Sequence, residues 1–232
     1  MLSFLQHHNI IRSSQHGFLP GRSSLSALLD FLEDVTNLTD SGSPVDAIYF
    51  DFQKAFDSVP HRRLLKKVEA CGISDPLLQW IDSFLTNRYQ RVVLRNAESP
   101  WLSVNSGVPQ GSVLGPLLFL IFINDIDTCC TGCFVTKFAD DIKIYANANL
   151  KSTSLQIAVD NIVSWASTWQ LNIHPDKCSV LHFGRSNPMT KYLLNGSIIN
   201  NTPFTRDLGV FIDKDLKCGP TIVMLLPSML IT

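Results

Sequence analysis

The stretch KFADDIKIYAN, residues 137–147, constrains the fold more than any other part of the chain. Apolar strand formers flank Asp140 and Asp141, so the segment reads as a hairpin whose tip carries adjacent carboxylates. Side chains alternate between the two faces of a strand, and neighbouring acids reach a common point only through a turn. A further acid, Asp51, closes the apolar run from Val45 to Phe52. A buried, unpartnered carboxylate is costly or takes up a proton. A divalent cation removes that cost and gathers acids from separate strands, and hard oxygen donors suit magnesium or manganese. Two such ions can activate an attacking hydroxyl and stabilise a leaving phosphate. On this reading Asp140 is the inward ligand and Asp141 the rim one. The same acids also fit an unrelated solvated set at strand ends, and the residues alone leave both readings open.

The rest of the composition narrows the field. The chain has 232 residues, 45% of them hydrophobic, which is enough for a substantial core. A formal charge of −1 gives no overall basic field, so any polyanion surface has to be local. Two stretches qualify: His61-Arg62-Arg63 with Lys66-Lys67, and Arg88, Arg91 and Arg95; each is equally a solvated face. The six cysteines show no disulfide spacing, and Cys129-Cys130 with Cys133 lack a second ligand pair, so free thiols in a reducing compartment are expected. No signal peptide opens the chain, and the longest apolar run, Val113 to Ile123, is too short to span a bilayer. A soluble intracellular protein of nucleus or cytoplasm, with no membrane partner, is expected.

Along the chain, Ser23 caps a helix with Leu25, Leu28, Leu29 and Leu32 on one stripe, and a buried strand follows. Two helices begin at His61 and after Ser74-Asp75-Pro76, and two strands surround residues 95–100. A glycine-punctuated loop at 106–112 leads into an apolar helix and then the hairpin. A helix striped by Leu155, Ala158, Val159, Ile162, Ala166 and Trp169, a strand at 178–183 and an Asn195-Gly196 hairpin complete the order. Hairpins mixed with helices predict an α+β fold, an antiparallel sheet covered by helices.

Taken together, DFQKAFDSVPH (51–61), SGVPQGSVLGPLLFLIFINDI (106–126), FADD (138–141) and HPDKC (174–178) resemble reverse transcriptases of LINE-type, non-LTR retrotransposons. QHGFLPGRSS (15–24) resembles the fingers block of that family, and 192–209 its closing hairpin block. The resemblance implies a right-hand polymerase: partial fingers over 1–50, a palm with inserted fingers elements over 51–215, and an apolar tail at 216–232 where a thumb would begin. It implies two Mg2+ (or Mn2+) ions held by Asp51, Asp140 and Asp141, with the Phe52 carbonyl as a further ligand. Phe56 takes the place of the steric gate against a 2′-hydroxyl. Gly107, Pro109, Gln110 and Gly111 pack on the incoming nucleotide, and Lys177 serves as general acid to pyrophosphate. Arg22 contacts phosphate. Asp57 is expected to be a cap or ion-pair partner. The implied partners are an RNA template, a DNA primer and dNTPs, and no stable protein partner can be inferred. The first fingers strands, an endonuclease domain and a basic thumb have no counterpart in the sequence. The expectation is therefore a copy cut at both ends, with its palm chemistry intact or surviving only as a nucleic-acid-binding remnant.

Overall fold

The computed structural model describes residues 1–95 and 97–216; most of the tail expected at 216–232 lies outside the described residues. A short helix, α1 (Leu2–His7), precedes α2 (Ser24–Asp40). The Ser23 hydroxyl accepts the Ser26 N–H at 3.2 Å, and the Ser26 hydroxyl accepts the Ser23 N–H at 2.9 Å, a reciprocal cap. Then come β1 (Val45–Phe50), the single turn α3 (Ala55–Ser58), α4 (His61–Ala70) and α5 (Leu77–Leu85). A ribbon of four short strands follows: β2 (Arg88–Gln90), β3 (Val93–Leu94), β4 (Ala97–Glu98) and β5 (Leu102–Val104). Helix α6 (Leu114–Ile123) tightens into a 3-10 turn at Asn124–Cys129. The acidic hairpin is β6 (Phe134–Phe138) and β7 (Asp141–Asn147), followed by α7 (Ala148–Trp169) and β8 (Ser179–Phe183). The described residues end with β9 (Leu193–Leu194), β10 (Ser197–Ile198), β11 (Asn200–Asn201), β12 (Phe204–Asp207) and β13 (Val210–Asp213).

The central sheet has the order β11-β8-β1-β7-β6, antiparallel throughout except where β11 runs parallel to β8. The expected α+β class, an antiparallel sheet covered by helices, is the one observed. The register sets Phe50 opposite Ile142 and Ile48 opposite Ile144. Those residues join Val180 and the α7 residues Leu155, Ala158, Val159 and Ile162 in the larger core. On the opposite face Val45, Ala47, Tyr145, Leu181 and Phe183 pack on α2. The period of two along each strand thus sends Tyr49 and then Asp51, and on β7 Asp141, Lys143 and Tyr145, to the α2 face.

Two expectations shift. The buried side of α2 is Ala27, Leu28, Phe31 and Val35, leaving Leu25 62% and Leu29 56% exposed. Phe31 decides this rotation: it is fully buried edge-on against Tyr145 and Phe183, and an aromatic ring outweighs a leucine in buried area. The stretch from His61 to Lys67 is not a uniformly solvated face either. Lys67 is buried, with Nζ 2.5 Å from Asp125 and 3.8 Å above the Trp169 ring.

The β12–β13 hairpin is fastened to the sheet by a buried ion pair between Lys143 and Asp207, with Lys143 Nζ also 4.4 Å from the Phe31 ring. Removing one partner of a buried pair strands the other charge. Asp207→Ala is expected to cost about 3–5 kcal/mol, and the apolar double variant Lys143→Met/Asp207→Leu to recover most of it. Urea denaturation midpoints check both.

Candidate active site

A two-residue turn, Ala139-Asp140, joins β6 to β7, with Phe138 paired to Asp141. Ala139 has φ 56°, in the left-handed region that costs an L-residue about 1–2 kcal/mol. The buried side chain of Gln15 holds it there: its Oε1 accepts the N–H of Ala139 at 2.8 Å and of Gly17 at 2.7 Å. A Cβ on Gly17 would stand 2.5 Å from the Ala139 nitrogen, so only glycine fits. The backbone continues the clamp, His16 N–H donating to the Lys137 carbonyl and Lys137 N–H to that of Ser14, each at 2.8 Å. The turn that carries Asp140 is therefore built by a segment 124 residues away. Gln15 escapes a reading by residue type, because a glutamine in an aperiodic loop carries no local signal of its distant partner.

Asp51 follows the last residue of β1, and its carbonyl accepts the His174 N–H at 2.8 Å. That bond, with the Phe52–Ile173 bridge, fixes the loop that brings Lys177 Nζ to 3.7 Å from the Asp51 carboxylate. Asp51, Asp141 and Lys177 line one cleft of about 300 Å³, whose other walls include Lys143, Arg206 and Asp207. Asp140 sits at the tip beside it and is the more enclosed of the two hairpin acids. Burial, then the negative charges of Asp140, Asp207 and Asp51, push the Asp141 carboxyl up to about 6. Burial and Asp51 also raise Asp140, partly offset by a backbone hydrogen bond. The three acids thus feel one another's charge. Among the described residues, no set of three or more His, Cys, Asp or Glu side chains is gathered closely enough to enclose an ion. The donor chemistry nevertheless fits one: Asp140 and Asp141 are hard oxygen donors with raised proton affinity, and neither is salt-bridged among the described residues.

A second cluster gathers the other expected residues. Phe56 stacks on Phe119 with ring centres 4.1 Å apart, and Phe18 meets its edge at 6.0 Å. The Phe56 carbonyl accepts the Val108 N–H at 2.8 Å, which joins it to the loop of Gly107, Pro109, Gln110 and Gly111. Phe52 is buried against Trp165. Arg22 lines neither the cleft of Asp51 nor the cavity of Gln110; next to the cap of α2, it donates to the Ser13 carbonyl at 2.9 Å and lies 3.1 Å from His16. Of the ribbon arginines, Arg88 is committed to the carbonyls of Leu85 and Gly107, and Arg91 to Glu98 and the Trp101 ring. Among the described residues Arg95 has no such partner.

An antiparallel-rich sheet backed by helices, as in this chain, is found in right-hand polymerases. Solved structures agree: apo telomerase from Candida tropicalis, truncated from its C-terminal domain, covers 93% of this chain with a TM-score of 0.65 at 13% identity, over 43% of its own length. Telomerase from Candida albicans in complex with a TWJ fragment of telomeric RNA covers 93% with a TM-score of 0.63 at 15% identity, over 37% of its length. The family of reverse transcriptases (RNA-dependent DNA polymerases) matches residues 1–206, and the chain belongs to it, in the LINE-type, non-LTR branch. It is 29% identical over 228 residues to a probable RNA-directed DNA polymerase from transposon BS of Drosophila melanogaster, covering 91% of this chain and 25% of that protein. It is 32% identical over 179 residues to the RNA-directed DNA polymerase from mobile element jockey of Drosophila funebris, covering 72% and 19%. The chain spans about a quarter or less of these relatives.

In divalent-free buffer the raised Asp141 carboxyl gives a signed prediction. Its unfolded value is about 3.9 and its folded value about 6. Folding therefore takes up a proton between them, and this stabilisation is full below about pH 4 and lost as pH rises through about 6. Melting temperature is expected to fall over that window, and Asp141→Asn to flatten the fall. A thermal-melt series across pH checks it.

Proposed function

We propose that this chain carries the palm and part of the fingers of an RNA-directed DNA polymerase that joins a dNTP to a primer 3′-hydroxyl and releases pyrophosphate. One observation carries the reading: Asp51 and Asp141 line a single cleft, with Asp140 in the clamped turn beside it, in a chain matched to the family over residues 1–206. Asp51, Asp140 and Asp141, with the Phe52 carbonyl, would hold two Mg2+ or Mn2+ ions, which when bound supply positive charge against the reacting phosphate and acidify the attacking hydroxyl.

The remaining roles fall to the chain's own side chains. The cleft of Asp51 and Asp141 runs to Arg206 and Gly209 and includes neither Phe56 nor the Gly107–Gly111 loop. The incoming nucleotide takes the Phe56 and Gln110 side, and the primer end comes from the β12–β13 side. Phe56, braced by Phe119, presents a ring edge or face that a 2′-hydroxyl would strike. Lys177 Nζ donates a proton to the departing pyrophosphate. Arg22 and Arg95 remain candidates for phosphate contact, which positions a strand without reading its sequence. RNA template, DNA primer and dNTPs are the partners this reading requires, and an intracellular location follows from them. A telomerase that shares this fold is itself in complex with a TWJ fragment of telomeric RNA, an RNA partner of the same kind as the one required here.

Extension of a DNA primer on an RNA template with Mg2+ tests the proposal. Asp140→Asn is expected to reduce single-nucleotide addition by about 10²–10³-fold, as losing one charge-stabilising group does in other active sites. Extension unchanged by that substitution overturns the site, and template-primer binding without any extension by the unaltered chain supports a binding remnant instead. Phe56→Ala is expected to raise incorporation of ribonucleotides relative to deoxyribonucleotides in the same assay; an unchanged ratio removes the gate.

A further inference from the structure

The turn after β1 and the loop before α6 are joined at one residue that the roles above leave unused, Asp57. Its carbonyl accepts the Ser106 hydroxyl at 2.8 Å. Gly107, at φ 84°, lies so close that a Cβ there would stand 2.7 Å from the Asp57 Cα and carbonyl oxygen. On either side, Gly107 N–H donates to Val59 and Val108 N–H to Phe56, each at 2.8 Å. The Gly107 carbonyl is itself held by His61 Nε2 and Arg88 Nη2, both at 2.9 Å. At the exposed face of this junction the Asp57 carboxylate accepts Nε2–H of Gln110 at 2.8 Å. Both side chains also line a cavity of about 480 Å³ together with Lys54.

The chemistry of the two groups sets an orientation. An ionised carboxylate only accepts hydrogen bonds, whereas a glutamine amide donates at one end and accepts at the other. Asp57 therefore fixes the NH2 end of Gln110 toward itself and turns Oε1 away, as an acceptor for a donor on the nucleotide. Without Asp57 the amide is free to rotate by half a turn and present the wrong group. The helical role open to Asp57 is small, because α3 is a single turn. We infer that Asp57 is a positioning residue for nucleotide selection, acting by fixing the amide of Gln110. This rests on the polymerase reading for its functional meaning, while the Asp57–Gln110 hold can be read independently of turnover.

The full chain on a DNA-primed RNA template provides the first arm. Asp57→Ala is expected to raise the dNTP KM about tenfold with a smaller change in kcat, the size expected for one hydrogen bond to a charged group. Asp57→Asn, which keeps an accepting oxygen, is expected to stay close to the unaltered chain. In a Gln110→Ala background Asp57→Ala is expected to add nothing. Effects of the two substitutions that multiply, or no effect of Asp57→Ala, overturn the inference. The second arm is the side-chain amide signal of Gln110 in the 15N-labelled chain, assigned by its loss in Gln110→Ala. Asp57→Ala is expected to move that signal toward the free-amide position, and an unmoved signal overturns the inference. An unaltered chain that adds no nucleotide counts against the polymerase reading alone, and the amide signal then decides the role of Asp57.

Discussion

The antiparallel register of β1 and β7 is the constraint on which the acidic site depends. With Phe50 opposite Ile142, the apolar side chains of both strands turn together toward α7. The alternate positions, with Asp51 and Asp141 at their ends, turn together toward α2 and the β12–β13 hairpin. A slip of one residue would exchange the faces, burying acids under α7 and exposing isoleucines. The dense apolar packing under α7 is therefore what holds mutually repelling carboxylates at the same end of the sheet.

Near the site, three separate devices deal with charge and strain. Gln15 satisfies the N–H of a left-handed alanine that no regular strand pairing would reach. Lys143 is neutralised by Asp207 rather than by Asp141. Asp51 faces Lys177 at the cleft wall, where both side chains remain open to solvent. The result is an uneven distribution of countercharge among the described residues: paired at Lys143–Asp207 in the cleft wall and at Asp51, and without a salt bridge at Asp140 and Asp141. Such unevenness is what a cation or an incoming phosphate with its ions would be drawn to.

Much of this was legible in the residues. The acidic hairpin, the striped α7 and the Asn195-Gly196 turn follow from period, apolar runs and turn chemistry, all local signals; both turn residues have positive φ, as that dipeptide favours. The family motifs single out Asp51, Phe56 and Gln110, and the structure joins Phe56 to the loop of Gln110 while Asp51 lies in the acidic cleft. What escaped depended on partners far along the chain. Leucine spacing misplaced the face of α2 because Phe31 met Tyr145 and Phe183, residues with no local relation to it. The longer ribbon strands expected around residues 95–100 break into short pairs, and nothing periodic announced β12 and β13. Lys143 and Asp207 are buried against each other from positions 64 residues apart, a pairing with no local signal.

The clamp on the Ala139 turn also has a bearing on how the chain acquires its site. Gln15 and Ala139 are 124 positions apart, and Lys143 and Asp207 are 64. Contacts of such separation carry a large loop-closure cost and form only after local structure has paid part of it. Helices α2, α6 and α7 can form from local order, but the acidic tip cannot take its final shape until the start of the chain returns to the edge of β6. The carboxylates would then be among the last groups to be ordered, so like charges are brought together only when the rest of the sheet is there to hold them.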